Sequence, residues 1–563
     1  MHATSLIRRI VVSGAVAAVI CSSVAPHALA QQRPAAPSAT ATAEGLESLK
    51  NERKDDPRPA PARREGEGPF AKLIIRGATV IDGTGSPPRG PVDIVIEQNR
   101  ITDVVSVGYP NAPIDTAKRP KGPARELDGT GLYVLPGLVD LHVHQGTLQK
   151  APDSEYYNKL WLAHGITTVR GVPFASFEYS MQEKARSAKN EITAPRYYAY
   201  QRPASGWDQG PVRTPEKARA WVQWAAKNGV DGLKLGAERP DVMAALIDEA
   251  KKLGLGTTAH LQQTGVAQMN ADEATRLGLG TVTHFYGLFE SMYENNSVQP
   301  WPVDMNYNDE QNRFGQVARQ WTLVKPRGEK WNALLTKLKE RDVTLDPTMV
   351  AYLTGRDMIH HMAAPWHTAY TLPSLWDYYA PSRTNHGSYW YYWTTWDEVA
   401  WRNFYRVWME FLNDYKNMGG RVTASSDAGF IYNTPGFSTI QEMELLQEAG
   451  FHPLEVIRSS TYHAAETLAK PKGQQIEAGA VRPGLLADLL IVDHNPVENL
   501  KVLYGTGALK LNDRTGKPEQ VGGVKWTIKD GIVYDAKQLL ADVARMVDEQ
   551  RRARPVPDKA LPQ

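Results

Sequence analysis

The segment LVDLHVHQG places His142 and His144 two residues apart at the end of an apolar run. A strand period of two turns both imidazoles to the same side of such a run. The pair is therefore suited either to holding a metal ion or to ordinary hydrogen bonding within a strand. Lys234 ends GVDGLK, His260 ends LGTTAH and His284 ends GTVTH, spaced by about one βα unit each, and Asp427 closes VTASSD. Singly, Lys234 reads equally well as a partly buried lysine with an acidic partner, and Asp427 as a turn residue before Ala428 and Gly429.

Their spacing argues for a joint role. The stretch from His144 to Lys234 has room for three βα units, so His142 and His144 fit strand one of an eight-stranded barrel. Lys234, His260 and His284 then fit strands four, five and six, and Asp427 strand eight. These are C-terminal strand ends, the face on which such barrels gather their catalytic groups, so residues scattered along the chain converge on one mouth. Imidazole and carboxylate donors suit zinc, and also manganese, iron or nickel; zinc is the first expectation.

The elements that must position these groups have a matching texture. The runs GITTVRG, RYYAYQ and GVDGLKLG alternate with amphipathic stretches, of which TPEKARAWVQWAAKNG starts with Thr214 as N-cap and Pro215 in its first position. PDVMAALIDEAKKLG puts Val242, Ala245, Leu246, Ala250 and Leu253 on one face and closes at Gly254. TVTHF, VTLDPTMV and RVTASSD complete the set, which predicts an α/β fold, a (β/α)8 TIM barrel over residues 136–478. KLIIRGATVIDGTG and VDIVIEQNRITDV precede it, and ADLLIVDHNP and KWTIKDGIVYD follow it. Neither strand-rich piece closes a core alone, so residues 70–135 and 479–536 are expected to build one small β-sandwich jointly, with a C-terminal helix and tail at 537–563.

The remaining composition narrows the setting. A net charge of +2, with basic runs near the ends, disfavours a nucleic-acid partner. Residues 1–30 carry Arg8 and Arg9, the apolar run IVVSGAVAAVI and Ala28-Leu29-Ala30, which read as a secretory signal cleaved after Ala30 and place the protein in the periplasm or outside the cell. The run is too short for a membrane span, and the paired arginines leave the export route open. Ile20 before Cys21 argues against lipid attachment, and loss of Cys21 with the signal removes disulfides, thiolate nucleophiles and cysteine-held metal together. Residues 31–69, rich in proline, alanine and charge, read as a disordered linker.

The ordered set of His142, His144, Lys234, His260, His284 and Asp427, with GATVIDGTG, YVLPGLVDLHVH and ADLLIVDHNP, resembles the amidohydrolase superfamily over about residues 70–536. Within it, the likeness is to the imidazolonepropionase-related and Xaa-Pro dipeptidase-like branch. The resemblance implies two divalent ions, His142, His144 and Asp427 on one and His260 and His284 on the other, bridged by an N-carboxylated Lys234. A buried lysine deprotonates more readily and its carbamate offers two anionic oxygens; without that modification a one-metal site stays open. The resemblance further implies hydrolysis of a C–N amide bond by a metal-activated hydroxide, with Asp427 as the catalytic proton shuttle.

Several features depart from the pattern. Gly171, in TTVRGVP, stands where relatives often carry an acidic residue. About sixty residues separate His284 from VTLDPTMV and about eighty separate Pro347 from Asp427, more than a βα repeat needs. The aromatic-rich insertion around 352–411, with SLWDYYAPS, HGSYWYYWTTWDE and WRNFYRVWMEF, suits either a lid over a bulky substrate or a packing or dimer surface. His164 in LAHGITT reads as structural, as do His360, His361, His367, His386 and His463. Arg202 after the third strand and Tyr286 just beyond His284 are placed to bind a substrate carboxylate. Three functions stay open: hydrolysis of a peptide or N-acyl amino acid, hydrolysis of a cyclic amide, lactone or related ring, and metal-dependent binding without catalysis. The substrate is expected to be a small molecule or short peptide, and the chain to form a homo-oligomer.

Overall fold

The computed structural model describes residues 56–554 except 210, 296–298, 384–385 and 388. The signal reading, Ala30, Cys21, linker residues 31–55 and tail residues 555–563 lie outside the described residues. Eight parallel strands run in chain order: Leu138–Val143, Ile166–Gly171, Arg196–Gln201, Gly232–Leu235, Gly256–Ala259, Thr281–Thr283, Thr344–Asp346 and Arg421–Val422. The eighth returns to the first, where the Asp427 N–H donates to His142 O at 2.8 Å and Val143 pairs with Ala428.

All but the third of these strands are buried throughout, Arg196 and Tyr198 of the third being half-buried, whereas helices such as Pro215–Lys227 and Glu329–Glu340 bury one apolar stripe each. Thr214 caps the helix Pro215–Lys227 by accepting from the Lys217 N–H at 3.3 Å, and Ala218, Trp221, Val222 and Ala225 face inward. Helix Pro240–Lys252 buries Val242, Ala245, Leu246 and Ala250 as its periodicity predicts. Leu253 departs from that face and is 43% exposed, because it is already the cap residue where the chain turns off into Gly254 at φ +68°.

Both chain ends contribute strands to a single mixed eight-stranded sheet. Its middle is the antiparallel pair Leu489–Val492 and Tyr133–Pro136; Val524–Lys529 and Ile532–Asp535 extend one side. Leu73–Val80, Arg89–Glu97 and Arg100–Ser106 extend the other, and Arg125–Asp128 pairs beside Leu73–Val80. Leu73, Ile75, Ile94, Leu489, Ile491 and Ile528 share one apolar cluster, so neither end has a complete core without the other. A hairpin of Ala508–Asn512 and Lys517–Val521 forms a separate two-stranded sheet.

Residues 56–69 correct the expectation of a disordered linker. Asp56 accepts from the Ser176 N–H at 2.9 Å, Arg58 forms a two-pronged pair with Asp153 at 2.6 Å, and the Ala60 N–H donates to Glu183. Further along, Glu65 accepts from Lys159 and Thr193, and Glu67 pairs with Val533 of the sheet domain. Composition registers apolar burial only; this strap offsets its ordering entropy with charge-assisted hydrogen bonds to the barrel instead.

The long connections after the sixth and seventh strands include the helices Glu310–Val317, Leu353–Met362, Pro373–Tyr379 and Thr395–Asn417. Trp401, Phe404, Tyr405 and Trp408 of the last are buried; the Tyr352 ring stacks on Trp401, and Phe285 meets Phe404 and Trp408 edge-on. Packing is thus what most of this aromatic stretch does.

The C-terminal helix Ala536–Ala553 docks on its own subunit, burying Leu539, Val543 and Val547 beside Ser154–Ala163. Lys159, with a side chain only 2% exposed, lies 2.8 Å from Asp542, 2.7 Å from Glu155 and 2.9 Å from Glu65, so one ammonium ties strap, barrel helix and terminal helix together. Lys159→Met leaves three carboxylates facing each other and is expected to lower stability by about 3 kcal/mol. Thermal unfolding measures the loss, and limited proteolysis should cut first at the released terminal helix.

Candidate metal centre

The first strand delivers His142 and His144 to one side, although the ladder between Asp140 and Val143 carries a register shift. Asp140 stabilises that irregular stretch: its carboxylate accepts from the His142 and Ser426 N–H groups, both at 3.1 Å, and from Thr439 Oγ1 at 2.7 Å. It thereby ties the first strand to the segment after the eighth. Complete burial pushes its carboxyl up to about 6.

At the mouth, Asp427 Oδ1 lies 3.6 Å from His142 Nε2 and 3.5 Å from His144 Nε2, while Oδ2 lies 3.7 Å from His284 Nε2. His142, His144 and Asp427 bring one donor atom each to within 4.8 Å of one another. Lys234 Nζ is 3.2 Å from His142 Nε2. The His260 ring meets that of His284 at 4.7 Å between centroids and stacks on Tyr286 at the same distance. The structure thus gathers all six ligand-type residues that the sequence singles out.

The direction of each imidazole follows from what stands behind it. His144 Nδ1–H donates to Pro173 O at 2.8 Å, and a carbonyl can only accept, so Nε2 carries the lone pair. Thr348 Oγ1 donates to Pro347 O at 2.7 Å and therefore accepts from His284 Nδ1–H; the buried Nε2 of His284 again faces Asp427, with no hydrogen-bond partner. His142 Nδ1 faces Asp346 Oδ2 at 4.0 Å. Three rings thus turn Nε2 inward, an arrangement typical of histidines that hold a metal.

Burial is the leading cause of every charge shift here. It holds His142, His260 and His284 well below the ordinary imidazole range and, with the charges of Lys234 and Arg202, takes His144 down to about 3. Burial, and then Arg202, pushes Lys234 down to about 7; burial raises Asp427 to about 6 against the opposing charge of Lys234. Neutral nitrogen donors around a carboxylate fit a divalent cation, which supplies the positive charge that the imidazoles do not.

Asp346, Thr348, Arg170 and Glu442 support the site without being singled out by sequence reasoning. Asp346 ends the seventh strand, so the strand-end rule that picked the other residues had the signal for it. Arg170, fully buried, donates to Leu141 O at 2.6 Å and to Asp346 at 3.2 Å and lies over the Tyr200 ring. Gly171 has no room for an acidic side chain: a Cβ there would lie 2.3 Å from the Phe174 ring. Among the other histidines, His164 bonds Leu160 O and His361 bonds Asn433, structural roles as expected. His386 pairs with Glu310 and contacts the Phe430 ring, joining the two insertions. Arg202 is exposed beyond the third strand with its charge acting on His144, Lys234, His260 and Asp427; Tyr286 is buried against His260.

Glu442, on the helix Phe437–Glu448, braces the turn Met349–Tyr352 by accepting from the Val350 N–H at 2.7 Å. This turn follows Thr348, held at φ +48°. Burial pushes the Glu442 carboxyl up to about 8, from an ordinary 4.5. The folded state therefore holds a proton that the unfolded chain releases earlier, so this stabilising contribution is complete below about 4.5 and is lost as pH rises through about 8. Glu442→Gln abolishes that dependence. In melts across this range the wild type should lose stability relative to the variant as pH rises; parallel curves would contradict the buried proton.

No family model matches the chain. Over 49 residues, 9% of each chain, it is 51% identical to an adenine deaminase of Methanoculleus marisnigri. The chain covers only 9% and 16% of the length of the first two curated relatives it matches. Solved structures agree over most of the molecule. A Xaa-Pro dipeptidase with methionine bound in its active site superposes with a TM-score of 0.54, at 17% identity over 82% of this chain and 100% of the other. Bottromycin amidohydrolase superposes with a TM-score of 0.56, at 16% identity over 88% of this chain and 96% of the other. The chain shares the fold of these solved structures.

Proposed function

We propose that the protein is a metal-dependent hydrolase cleaving the C–N amide bond of a peptide or N-acyl amino acid. The observation that carries this reading is the convergence of the His142, His144 and His284 Nε2 atoms on the Asp427 carboxylate at the barrel mouth. In this reading His142, His144 and Asp427 would hold one divalent ion and His260 and His284 a second, an N-carboxylated Lys234 would add anionic oxygens to the donor set, and zinc is the first choice. Lys234 suits that role: with its ammonium pushed down to about 7, a neutral amine is available to add to carbon dioxide, releasing a proton and leaving a carbamate.

When bound, the metal supplies Lewis acidity that lowers the pKa of water and polarises a carbonyl. Asp427, raised to about 6, is suited to accept a proton at its carboxylate and return it to the leaving amine nitrogen. Arg202 offers a positive charge and Tyr286 a phenol for orienting a substrate carboxylate. Tyr352, its ring 5.4 Å from that of His284, brings the aromatic layer to the same mouth. The dipeptidase and amidohydrolase among the structural neighbours favour an amide substrate. The N-terminal segment adds a periplasmic or secreted location to this reading.

Elemental analysis of protein purified without added metal should find close to two equivalents of transition metal; no retained metal, and none rebound, would overturn the site. Asp427→Asn is expected to lower kcat about 10²- to 10⁴-fold while circular dichroism stays unchanged. The substrate class is tested by assaying dipeptides and N-acyl amino acids beside hydantoin, dihydropyrimidine and lactone rings. Turnover confined to the rings would replace the linear amide with the cyclic one.

A further inference from the structure

The connections after the sixth and seventh strands carry more chain than a βα repeat needs, and they meet at one exposed histidine. Glu310 opens the helix Glu310–Val317 in the first of them. One of its carboxylate oxygens accepts from His386 Nδ1–H and pairs with Arg313 at 2.9 Å, and the other accepts from the Gly387 N–H at 2.7 Å. Burial opposes the ionised carboxyl, yet the charge and hydrogen bond of His386, with Arg313 and the Gly387 N–H, hold Glu310 down to about 2. A carboxylate can only accept, so Nδ1 of His386 carries hydrogen and is committed to Glu310. Nε2 lies on the far edge of the ring, without a hydrogen-bond partner among the described residues, in a side chain that is 65% exposed.

Ring contacts place this imidazole beside the barrel mouth. It lies 5.0 Å from the ring of Phe430, just beyond Asp427 in the chain. Phe314, on the same face of the helix as Glu310, lies 5.9 Å from Tyr352, whose ring is 5.4 Å from that of His284. Tyr389, just beyond His386, stacks on Phe314 at 4.1 Å. Electrostatics agrees with this placement. The charge of His386 acts on both His260 and Asp427, as does that of Arg202 from the connection after the third strand.

Two cationic side chains outside the donor set therefore act on the same two site residues from different connections. We infer that His386 is a specificity-determining residue, whose Nε2–H binds the free carboxylate of the substrate while Glu310 fixes the ring. The inference rests on the hydrolase reading above and deepens it, since it confines that site to substrates bearing an anionic end. As an imidazolium with Glu310 for its counter-ion, the ring presents a charge-assisted donor to the anion. Glu310 does not repel the substrate, because Arg313 and the Gly387 N–H also answer its charge. The carboxylate stands apart from the bond that breaks, so this contact favours ground state and transition state alike.

The test uses the full chain loaded with metal. The dipeptide or N-acetyl amino acid turned over fastest is assayed beside the same molecule with CH2OH in place of its carboxylate. The wild type should prefer the carboxylate by about 10- to 100-fold in kcat/KM. His386→Gln should lose about tenfold of that preference, through a raised KM for the carboxylate with little change in kcat. His386→Arg keeps a cation beside Glu310 and should restore the preference, with thermal melts checking that both variants fold. A wild type indifferent to the carboxylate, a His386→Gln variant that retains the preference, or one that slows both molecules equally would overturn the role of His386 and leave the hydrolase standing. Failure of the wild type to turn over any linear amide would overturn the hydrolase reading and this inference with it.

Discussion

The hydrogen bond from the Asp427 N–H to His142 O joins the eighth strand segment to the first, and the same two residues contribute side chains to the site. Barrel closure and assembly of the donor set are therefore one event. Asp140 strengthens the seam by accepting from the main chain of both His142 and Ser426. His284 at φ +64°, Thr348 at +48° and Asp427 at +50° adopt left-handed backbone, at a cost of about 1–3 kcal/mol each. The surrounding bonds from the His284 N–H to Asp346 O and from Asp427 to His142 hold that geometry in place.

Behind the donors lies a layer of oxygens. Pro173 O, Thr348 Oγ1 and Asp346 Oδ2 stand behind three imidazoles, and the buried Arg170 in turn positions Asp346. Pro173 follows the second strand, whereas Asp346 ends the seventh and Thr348 lies just beyond it, so two separate places on the barrel rim set the orientation of the rings. A metal bound there meets rings whose rotation is already restricted, which lowers the reorganisation needed on binding.

His142, His144, Lys234, His260, His284 and Asp427 were legible because a βα unit has a characteristic length and a strand has a definite end. The supporting residues were harder to read. Glu442 lies on a helix beyond the eighth strand and acts through a turn after the seventh, a contact that only folding brings about. Gly171 looked like a gap in the site until Phe174 filled its space, stacked on Tyr197. The strap at 56–69 escaped notice for a different reason: its order comes from ion pairs with Asp153 and Lys159 and a backbone hydrogen bond to Glu183, partners far away in sequence. Local pattern specifies strands and their ends well, but not which distant charge answers a nearby one.

The sheet shared by the two chain ends has a consequence for biosynthesis. Leu490 lies opposite Leu135, so the strand Tyr133–Pro136 waits for nearly the whole barrel to emerge from the ribosome before its neighbour exists. Closing so long a loop adds little to the equilibrium cost, which grows only logarithmically with length. The burden is kinetic: an unpaired apolar edge stays open during synthesis, when aggregation competes with folding. The nascent chain's dependence on a chaperone should thus be greatest just before Leu489–Val492 is made and fall sharply after it, and a truncation that stops short of that strand should cost solubility out of proportion to its length.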